Sequence, residues 1–204
     1  MKSSSEFILK RASVDDVDAI FALLDFFALR KLLLPKTKDQ LYRQIRDFRV
    51  IYKIGVKDDE NAQNETAAQR AVSRLRRTND RNVLRVHKDH EDNENAENGV
   101  LQRSLIACAH LDIFTNQLAE VKSLAVHEAF HGQGLGRMLV EDCENEARSM
   151  QIKTIFALTY QIKFFEKIGY HLVDIQSLPE KVFKECVVCP FYGACNENAL
   201  IKRL

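Results

Sequence analysis

The chain has 204 residues, of which 46% are hydrophobic, and its formal net charge is +1. This length supplies the core of one domain, and the near-zero charge excludes whole-chain attraction to nucleic acid or to a membrane surface. No apolar run approaches the ~18 residues of a membrane-spanning helix, so no membrane partner is expected. Five cysteines without an N-terminal secretory signal predict a reducing, cytoplasmic setting. Composition leaves the oligomeric state open, and a homo-oligomer is compatible with it.

Apolar periodicity and capping residues predict strands and helices along most of the chain. Ser13 with Asp16, and Thr37 with Gln40, have the spacing of capping boxes, and each pair predicts the start of a helix. Pro35 follows three leucines and ends the first of these helices. In chain order we predict strands at 7–12, 49–56, 104–114, 119–127, 153–158, 170–175 and 199–204, and helices after Ser13, after Thr37, at 133–148 and at 161–168.

Composition changes abruptly at residues 57–99, which are polar and rich in Asn, Asp, Glu and Arg. The segment has too few apolar residues for a core, so we predict a mostly disordered insertion with one or two marginal helices. Its ends are acidic and its centre is basic. The centre is either a docking site for nucleic acid or an acidic partner, or part of a solvated linker whose charges pair with each other. We favour the linker.

The most informative stretch is a glycine-rich turn between a predicted strand and a predicted helix. Gly132, Gly134 and Gly136 are three of only seven glycines, and they follow the apolar run 121–126. Glycine has no Cβ, so it adopts positive φ and lets the backbone approach a ligand closely. The free N–H groups and dipole of a helix N-terminus favour an anion, for which phosphate is the natural guest. The alternate glycines do not fit the dinucleotide fingerprint, and no Gly-Lys-Ser/Thr follows to make a P-loop.

This turn resembles the pyrophosphate loop of the GNAT acetyltransferases, Arg/Gln-x-x-Gly-x-Gly/Ala. His131, Gly134 and Gly136 take its three fixed places, with His131 in place of the usual Arg or Gln. The resemblance implies the α/β fold of the GNAT (acyl-CoA N-acyltransferase) class, with a mixed, mostly antiparallel sheet flanked by helices. It also implies acetyl-CoA as co-substrate. We expect a single GNAT domain over residues 1–204, interrupted by the insertion at 57–99.

Several further segments are similar to N-acetylglutamate synthases in their short, stand-alone form. One of them carries Lys36-Thr37 where those synthases usually have Arg-Ser. The similarity implies acetyl transfer to the α-amino group of L-glutamate, the first step of arginine biosynthesis. The similar segments are 33–41, 106–109, 119–126, 156–159, 164–170 and 173–180, with the tail that follows residue 185.

The resemblance also implies catalytic roles. Glu120, on the strand before the glycine loop, is the expected general base and acts through a water; its neighbour Lys122 could pair with it instead. A tyrosine often protonates the departing thiolate in this superfamily, but Phe165 occupies that place. Tyr160 or water is then expected to serve. Lys36 is the first candidate to meet a substrate carboxylate, as a point charge rather than a bidentate fork.

The expected binding residues fall into two groups. Backbone groups of 124–126 should hold the pantetheine arm, and one of their N–H groups could steady the oxyanion. The residues expected at acetyl-CoA are Leu124, Ala125, Val126, His131, Gly132, Gln133, Gly134, Leu135, Gly136, Arg137, Phe164 and Phe165. Those expected at the amino-acid substrate are Lys36, Arg30, Ser123 and Thr159.

Three of the five cysteines, Cys186, Cys189 and Cys195, lie within ten positions near the C-terminus. A zinc or iron–sulfur site usually needs four ligands. No local fourth ligand is obvious, so we expect no metal and favour reduced thiols. Cys108 and Cys143 are predicted to be small core residues.

Two rival functions stay open. One is a GNAT acetyltransferase that acts on another small amine or on a protein. The other is a non-catalytic acyl-CoA-binding module that acts through the charged insertion, although a carboxylate at Glu120 weighs against it.

If the insertion is dispensable for catalysis, replacing residues 58–98 with a short Gly/Ser linker should leave the fold and the turnover largely intact, because the segment lacks a core's worth of apolar residues. Circular dichroism and steady-state kinetics measure both properties. Insoluble protein or a large drop in turnover would show that the segment belongs to the fold or to the site.

Overall fold

The computed structural model describes residues 6–56, 101–189 and 194–204, so the predicted insertion lies outside the described residues. Residues 1–53 and 104–204 form one compact unit. Residues 54–103 form a second unit, of which only two strand ends are described. Within the described ranges, no helix is long and apolar enough to cross a membrane.

The strands and helices follow the predicted order closely. The strands are β1 Glu6–Arg11, β2 Phe48–Val56, β3 Leu101–Ile113, β4 Leu118–Val126, β5 Thr154–Thr159, β6 His171–Val173 and β7 Asn198–Arg203. The α-helices are α1 Val17–Ala28, α2 Lys38–Gln44, α3 Leu135–Ser149, α4 Ile162–Lys167 and α5 Pro179–Lys184. Short 3-10 turns lie at Val14–Asp16, Ile45–Asp47, Glu128–Phe130, Ile175–Ser177 and Cys186–Val188.

Both predicted capping boxes form. The Ser13 amide donates to Asp16 Oδ2 at 2.8 Å, and Thr37 Oγ1 accepts a hydrogen bond from the Gln40 amide at 3.2 Å. These bonds satisfy N–H groups that a helix start would otherwise leave unpaired.

Two differences from the prediction lie in the connection between β6 and β7. β6 is shorter than predicted because Asp174 accepts a hydrogen bond from the Gln176 amide at 2.9 Å, which turns the chain into a 3-10 helix. Helix α5 was not predicted. It has only six residues and starts with Pro179, a favoured first position, but it is too short for apolar periodicity to reveal it.

The sheet has the mixed, mostly antiparallel topology that the sequence predicted. Among the described residues its seven strands run in the order β1-β2-β3-β4-β5-β7-β6. β3 pairs with β4 antiparallel, and β7 pairs antiparallel with both β5 and β6. β4 and β5 form a parallel pair.

Successive side chains of each strand point to opposite faces of the sheet. Helices cover both faces. On β3, Ala107 and Ala109 pack towards α3, whereas Cys108 packs towards α1 and α2. Cys108 and Cys143 are fully buried, which confirms the prediction that both are core residues. Each large aliphatic side chain buried in these layers contributes about 1.5–3 kcal/mol. The buried face of α3 consists of Leu135, Leu139, Val140, Cys143, Glu144 and Ala147.

The parallel pair β4–β5 separates partway along its length. Its register runs only as far as the pair Glu120–Phe156. On its other side, β4 pairs with β3, and the register of that pair shifts between Cys108 and His110. Ser123 of β4 lies opposite this register shift and has a φ of 51°. Such a bulge bends the strand that contains it. β4 therefore diverges from β5 and leaves a gap between the two strands.

Candidate functional site

A cleft of about 510 Å³ occupies the gap between β4 and β5. Its volume lies within the range of small-molecule and cofactor sites. The sequence-predicted residues on its walls are Ser123, Leu124, Ala125, Val126, His131, Gly132, Gly134, Leu135, Gly136, Arg137, Thr159, Tyr160, Phe164 and Phe165. Four predicted residues, Arg30, Lys36, Glu120 and Gln133, are not on the walls.

The glycine loop leaves the N-terminus of α3 open towards the cleft. Gly132 and Gly134 have φ values of 78° and 81°, which confirms that these two positions use the conformational freedom of glycine. Gly134 is the N-cap of α3 and makes no side-chain capping hydrogen bond, and the first turn of the helix contains no acidic residue. The N–H groups of that turn and the positive end of the dipole are thus available to an anion.

Gly136 serves a different purpose from its two neighbours. It lies inside α3, and a Cβ at this position would come within 3.3 Å of the Phe164 ring on α4. The missing side chain lets α3 and Phe164 approach each other beside the cleft. Sequence reasoning had grouped Gly136 with the positive-φ glycines, but it is not one of them, and its close contact with Phe164 favours a residue without a Cβ.

His131 connects the glycine loop to the end of β4. Its Nε2 lies 2.8 Å from the Val126 carbonyl oxygen, and because a carbonyl only accepts, Nε2 is the donor. Arg137 lies on the cleft wall and forms an ion pair with Glu141, with 2.6 Å between Nε and Oε1. Gln133 is exposed and is not among the residues on the walls.

Glu120 is buried beside the point where β4 and β5 separate. It is 2% exposed, and its Oε2 lies 2.9 Å from Lys181 Nζ and 3.4 Å from Lys122 Nζ. The pairing with Lys122 that the sequence allowed is therefore present. Burial raises the pKa of Glu120 above its ordinary value, and the two ammonium groups offset part of this rise. Glu120 belongs to a charge cluster next to the cleft, which also contains Lys122, Lys181 and their partners Asp112 and Glu185.

Lys36 faces this charge cluster, whereas Arg30 does not. Lys36 Nζ donates to Gln44 Oε1 at 2.8 Å, and burial followed by the nearby charge of Lys122 lowers its pKa. Arg30 donates to the Phe26 carbonyl at 2.8 Å and stacks on the Phe26 ring, at the exposed end of α1. Of these two cations, only Lys36 is near Glu120.

Phe165 occupies the place of the usual proton donor and Tyr160 is the expected substitute, and the two residues differ in their surroundings. Phe165 is buried against Phe164 and Tyr170 and has no proton to give. Tyr160 is 41% exposed on the cleft wall, where partial desolvation and then the Glu197 carboxylate raise its pKa. A raised pKa keeps the phenol protonated, so that it can act as a hydrogen-bond donor.

Sequence reasoning missed residues that come from distant parts of the chain. Leu32 and Leu33, treated only as a helix end, lie on the cleft wall, and so does Glu197 at the start of β7. Lys181 and Glu185 join the charge cluster from α5 and the residue after it. Lys181 is 61 positions from Glu120, so no local spacing could have linked them.

In the described part of the chain, no group of three His, Cys, Asp or Glu side chains is arranged to hold a metal ion, and this includes the three C-terminal cysteines. Cys186 and Cys189 are half-buried free thiols, and Cys195 is exposed. His127 accepts a hydrogen bond from the Ala129 amide at 3.3 Å and caps a 3-10 turn.

Comparison with known proteins agrees with this architecture. An uncharacterised N-acetyltransferase of Chlorobaculum tepidum is 37% identical over 100 residues, which cover 49% of this chain and 64% of that protein. The amino-acid acetyltransferase of Mycobacterium tuberculosis is 24% identical over 178 residues, which cover 87% of this chain and 76% of that protein. The chain thus spans less than two thirds of the Chlorobaculum protein.

Two solved structures share the fold. A Mycobacterium tuberculosis protein in complex with CoA and NLQ has a TM-score of 0.61 at 18% identity, covering 97% of this chain and 99% of that one. The Neisseria gonorrhoeae N-acetylglutamate synthase, complexed with coenzyme A and N-acetyl-glutamate, has a TM-score of 0.67 at 19% identity. That match covers 99% of this chain and 36% of the synthase.

The family comparison covers more than half of the chain. Residues 52–170 match the acetyltransferase (GNAT) family. The chain belongs to the GNAT acetyltransferase family.

Proposed function

We propose that this protein transfers the acetyl group of acetyl-CoA to the α-amino group of L-glutamate, the first step of arginine biosynthesis. The observation that carries the proposal is the uncapped N-terminus of α3 at a cleft between two diverging strands. The two solved structures contain coenzyme A, and one of them also contains N-acetyl-glutamate. A Mycobacterium tuberculosis relative carries the name amino-acid acetyltransferase.

The cleft geometry suggests how acetyl-CoA binds. Its pyrophosphate would lie at Gly132 and Gly134, against the N–H groups of the first turn of α3. The pantetheine arm would follow residues 124–126 of β4, where the edge facing β5 has no strand pairing among the described residues. The thioester would then reach the separation point near Ser123, beside Glu120.

The chemistry requires the acceptor nitrogen to lose two protons and the departing thiolate to gain one. The substrate ammonium first loses a proton to Glu120 through a water, and the free amine attacks the thioester carbonyl carbon. A β4 N–H group stabilises the oxyanion, a contact worth about 3 kcal/mol in comparable sites. Collapse of the tetrahedral intermediate breaks the C–S bond, and Tyr160 or water protonates the departing thiolate. The nitrogen gives up its second proton to the deprotonated donor or to water, which leaves a neutral amide.

Cations beside Glu120 support an acceptor that contains carboxylates. Lys36 is close enough to Glu120, Asp112 and Glu185 to feel their charges, and it hydrogen bonds only to the neutral Gln44 among the described residues. Among Lys36, Lys122 and Lys181, Lys36 is thus the one whose ammonium group donates no hydrogen bond to a carboxylate of the described residues. This position suits the second carboxylate of glutamate.

A second acceptor class is favoured by one observation. Glu197 lines the cleft near Tyr160, and the cations of the charge cluster are not on the cleft walls. A carboxylate on the wall would attract a cationic amine, such as a polyamine. The alternative proposal is a GNAT acetyltransferase for such an amine or for a protein.

Acetyl-CoA consumption across the twenty amino acids and a set of polyamines distinguishes these proposals. We expect L-glutamate to be the best acceptor, because three lysines surround the site beside Glu120. Release of free coenzyme A measures the rate. Acetylation of polyamines but of no amino acid would replace the glutamate proposal with the cationic-amine proposal.

The acetyl-CoA site is tested by Gly134→Asp against Gly134→Asn. Both residues tolerate the positive φ better than other side chains, but only Asp brings a negative charge to the helix N-terminus. We expect Asp to weaken acetyl-CoA binding by on the order of tenfold relative to Asn. Isothermal calorimetry gives both affinities. Equal affinities would locate the pyrophosphate elsewhere.

Lys36→Ala should raise the KM for glutamate about 10- to 150-fold and leave the KM for acetyl-CoA nearly unchanged, since a charge-assisted contact is lost. Lys36→Arg should retain most activity. Lys38→Ala is the matched control, because Lys38 is exposed and pairs with Asp18. An unchanged KM for glutamate in Lys36→Ala would remove Lys36 from the site.

Glu120→Gln should reduce turnover at neutral pH, with partial recovery at high pH, where more of the amine is already deprotonated. In the unaltered protein the raised pKa of Glu120 means that the basic form is lost at a higher pH than for an exposed glutamate. Turnover should therefore fall as the pH is lowered through that pKa. A pH–rate profile identical in both proteins would assign the base to another group.

A further inference from the structure

The charge cluster contains a carboxylate held between two ammonium groups. Glu185 Oε1 lies 2.5 Å from Lys122 Nζ, and Glu185 Oε2 lies 2.6 Å from Lys181 Nζ. Each oxygen therefore accepts a charge-assisted hydrogen bond from a different lysine. The two lysines come from β4 and α5, so the fold itself creates this carboxylate-sized position.

Other contacts fix both lysines in place. Lys122 Nζ also donates to Asp112 Oδ2 at 2.6 Å, and Lys181 Nζ donates to Glu120 Oε2 at 2.9 Å. Both ammonium groups lie over the Phe114 ring, at 5.2 and 5.6 Å from its centroid. Their side chains are only 16% and 7% exposed. The pair is thus preorganised to bind a carboxylate.

Glu185 is the most accessible carboxylate of the cluster. Its side chain is 34% exposed, against 21% for Asp112 and 3% for Glu120. It follows the last residue of α5, where the backbone leaves the helix with φ −131° and ψ −42°. A rotation of this one side chain would uncover both ammonium groups without unpairing Lys122 from Asp112 or Lys181 from Glu120.

We propose that Lys122 and Lys181 bind the α-carboxylate of an amino-acid acceptor, and that Glu185 occupies this position when no acceptor is bound. The inference rests on the proposed acetyl transfer and assigns its acceptor class as α-amino acids. Lys181 contacts both Glu185 and Glu120. An α-carboxylate in place of that of Glu185 therefore puts the attached α-amino group beside Glu120.

Exchange of one carboxylate for another preserves the charge balance of the cluster. The ammonium groups of Lys36, Lys122 and Lys181 interact with the carboxylates of Asp112, Glu120 and Glu185, and Lys184 adds a further ammonium group 4.5 Å from the centroid of the Phe114 ring. A neutral or cationic amine that displaced Glu185 would leave two lysines underneutralised in a poorly hydrated place, which is costly. The site thus selects acceptors that supply their own carboxylate.

The test is Glu185→Gln, which keeps the size of the side chain and removes its charge. The apparent affinity for an acceptor is proportional to the fraction of molecules in which the position is free, so if Glu185 fills it about nine tenths of the time, its removal predicts about a tenfold fall in the KM for amino-acid acceptors. The KM for acetyl-CoA should not change. Glu180→Gln is the matched control, since Glu180 is exposed on the same helix.

A second comparison keeps the test decisive if Glu185→Gln alters stability. Lys122→Met, assayed with L-glutamate and with its α-carboxamide, should lose most of the preference for the free α-carboxylate. An unaltered KM in Glu185→Gln together with an unaltered preference in Lys122→Met would overturn the inference, even if glutamate is acetylated. Lowered KM values for other amino acids, without glutamate acetylation, would support the inference and refute the glutamate proposal.

Discussion

The cleft exists because one parallel strand pair stops early. β4 and β5 pair only as far as Glu120 and Phe156, and the bulge at Ser123 carries β4 away. A continuous sheet would bury the edges of both strands in hydrogen bonds and leave no room for a ligand. The strands beyond β5 and the helices on both faces maintain the sheet around the gap, so that the opening does not destabilise the core.

The local parts of this architecture could be predicted from sequence. Capping boxes at Ser13 and Thr37, and the turn at Gly132 and Gly134, depend on residues within a few positions of each other, and their physical requirements are specific. The position of Gly136 could be predicted, but its reason could not. Only the tertiary contact with Phe164 shows that it permits helix packing.

The charge cluster could not be predicted, because it is assembled from four separate segments. Lys36 lies in the α1–α2 connection, Asp112 on β3, Glu120 and Lys122 on β4, and the α5 residues more than 50 positions later. Helix α5 was itself invisible to periodicity. Sequence reasoning therefore named Lys36 as the first candidate to meet a carboxylate, with Arg30 as a further cation, whereas the fold places two other lysines beside Glu120.

The arrangement links acceptor choice to proton transfer. Lys181 holds Glu120 and Glu185 at the same ammonium group, so the position that fits a carboxylate adjoins the position that fits a basic amine. This adjacency matches an α-amino acid, in which the two groups share one carbon atom. In the proposed binding mode, the thioester would reach the same place along the diverging strands.

The most direct measurement is a crystal structure of the protein with coenzyme A and N-acetylglutamate. The account predicts a pyrophosphate at the N-terminus of α3, a ligand carboxylate between Lys122 and Lys181, and Glu185 turned towards solvent. A structure in which Glu185 still bridges the two lysines, while the bound ligand's carboxylates contact other residues, would contradict it.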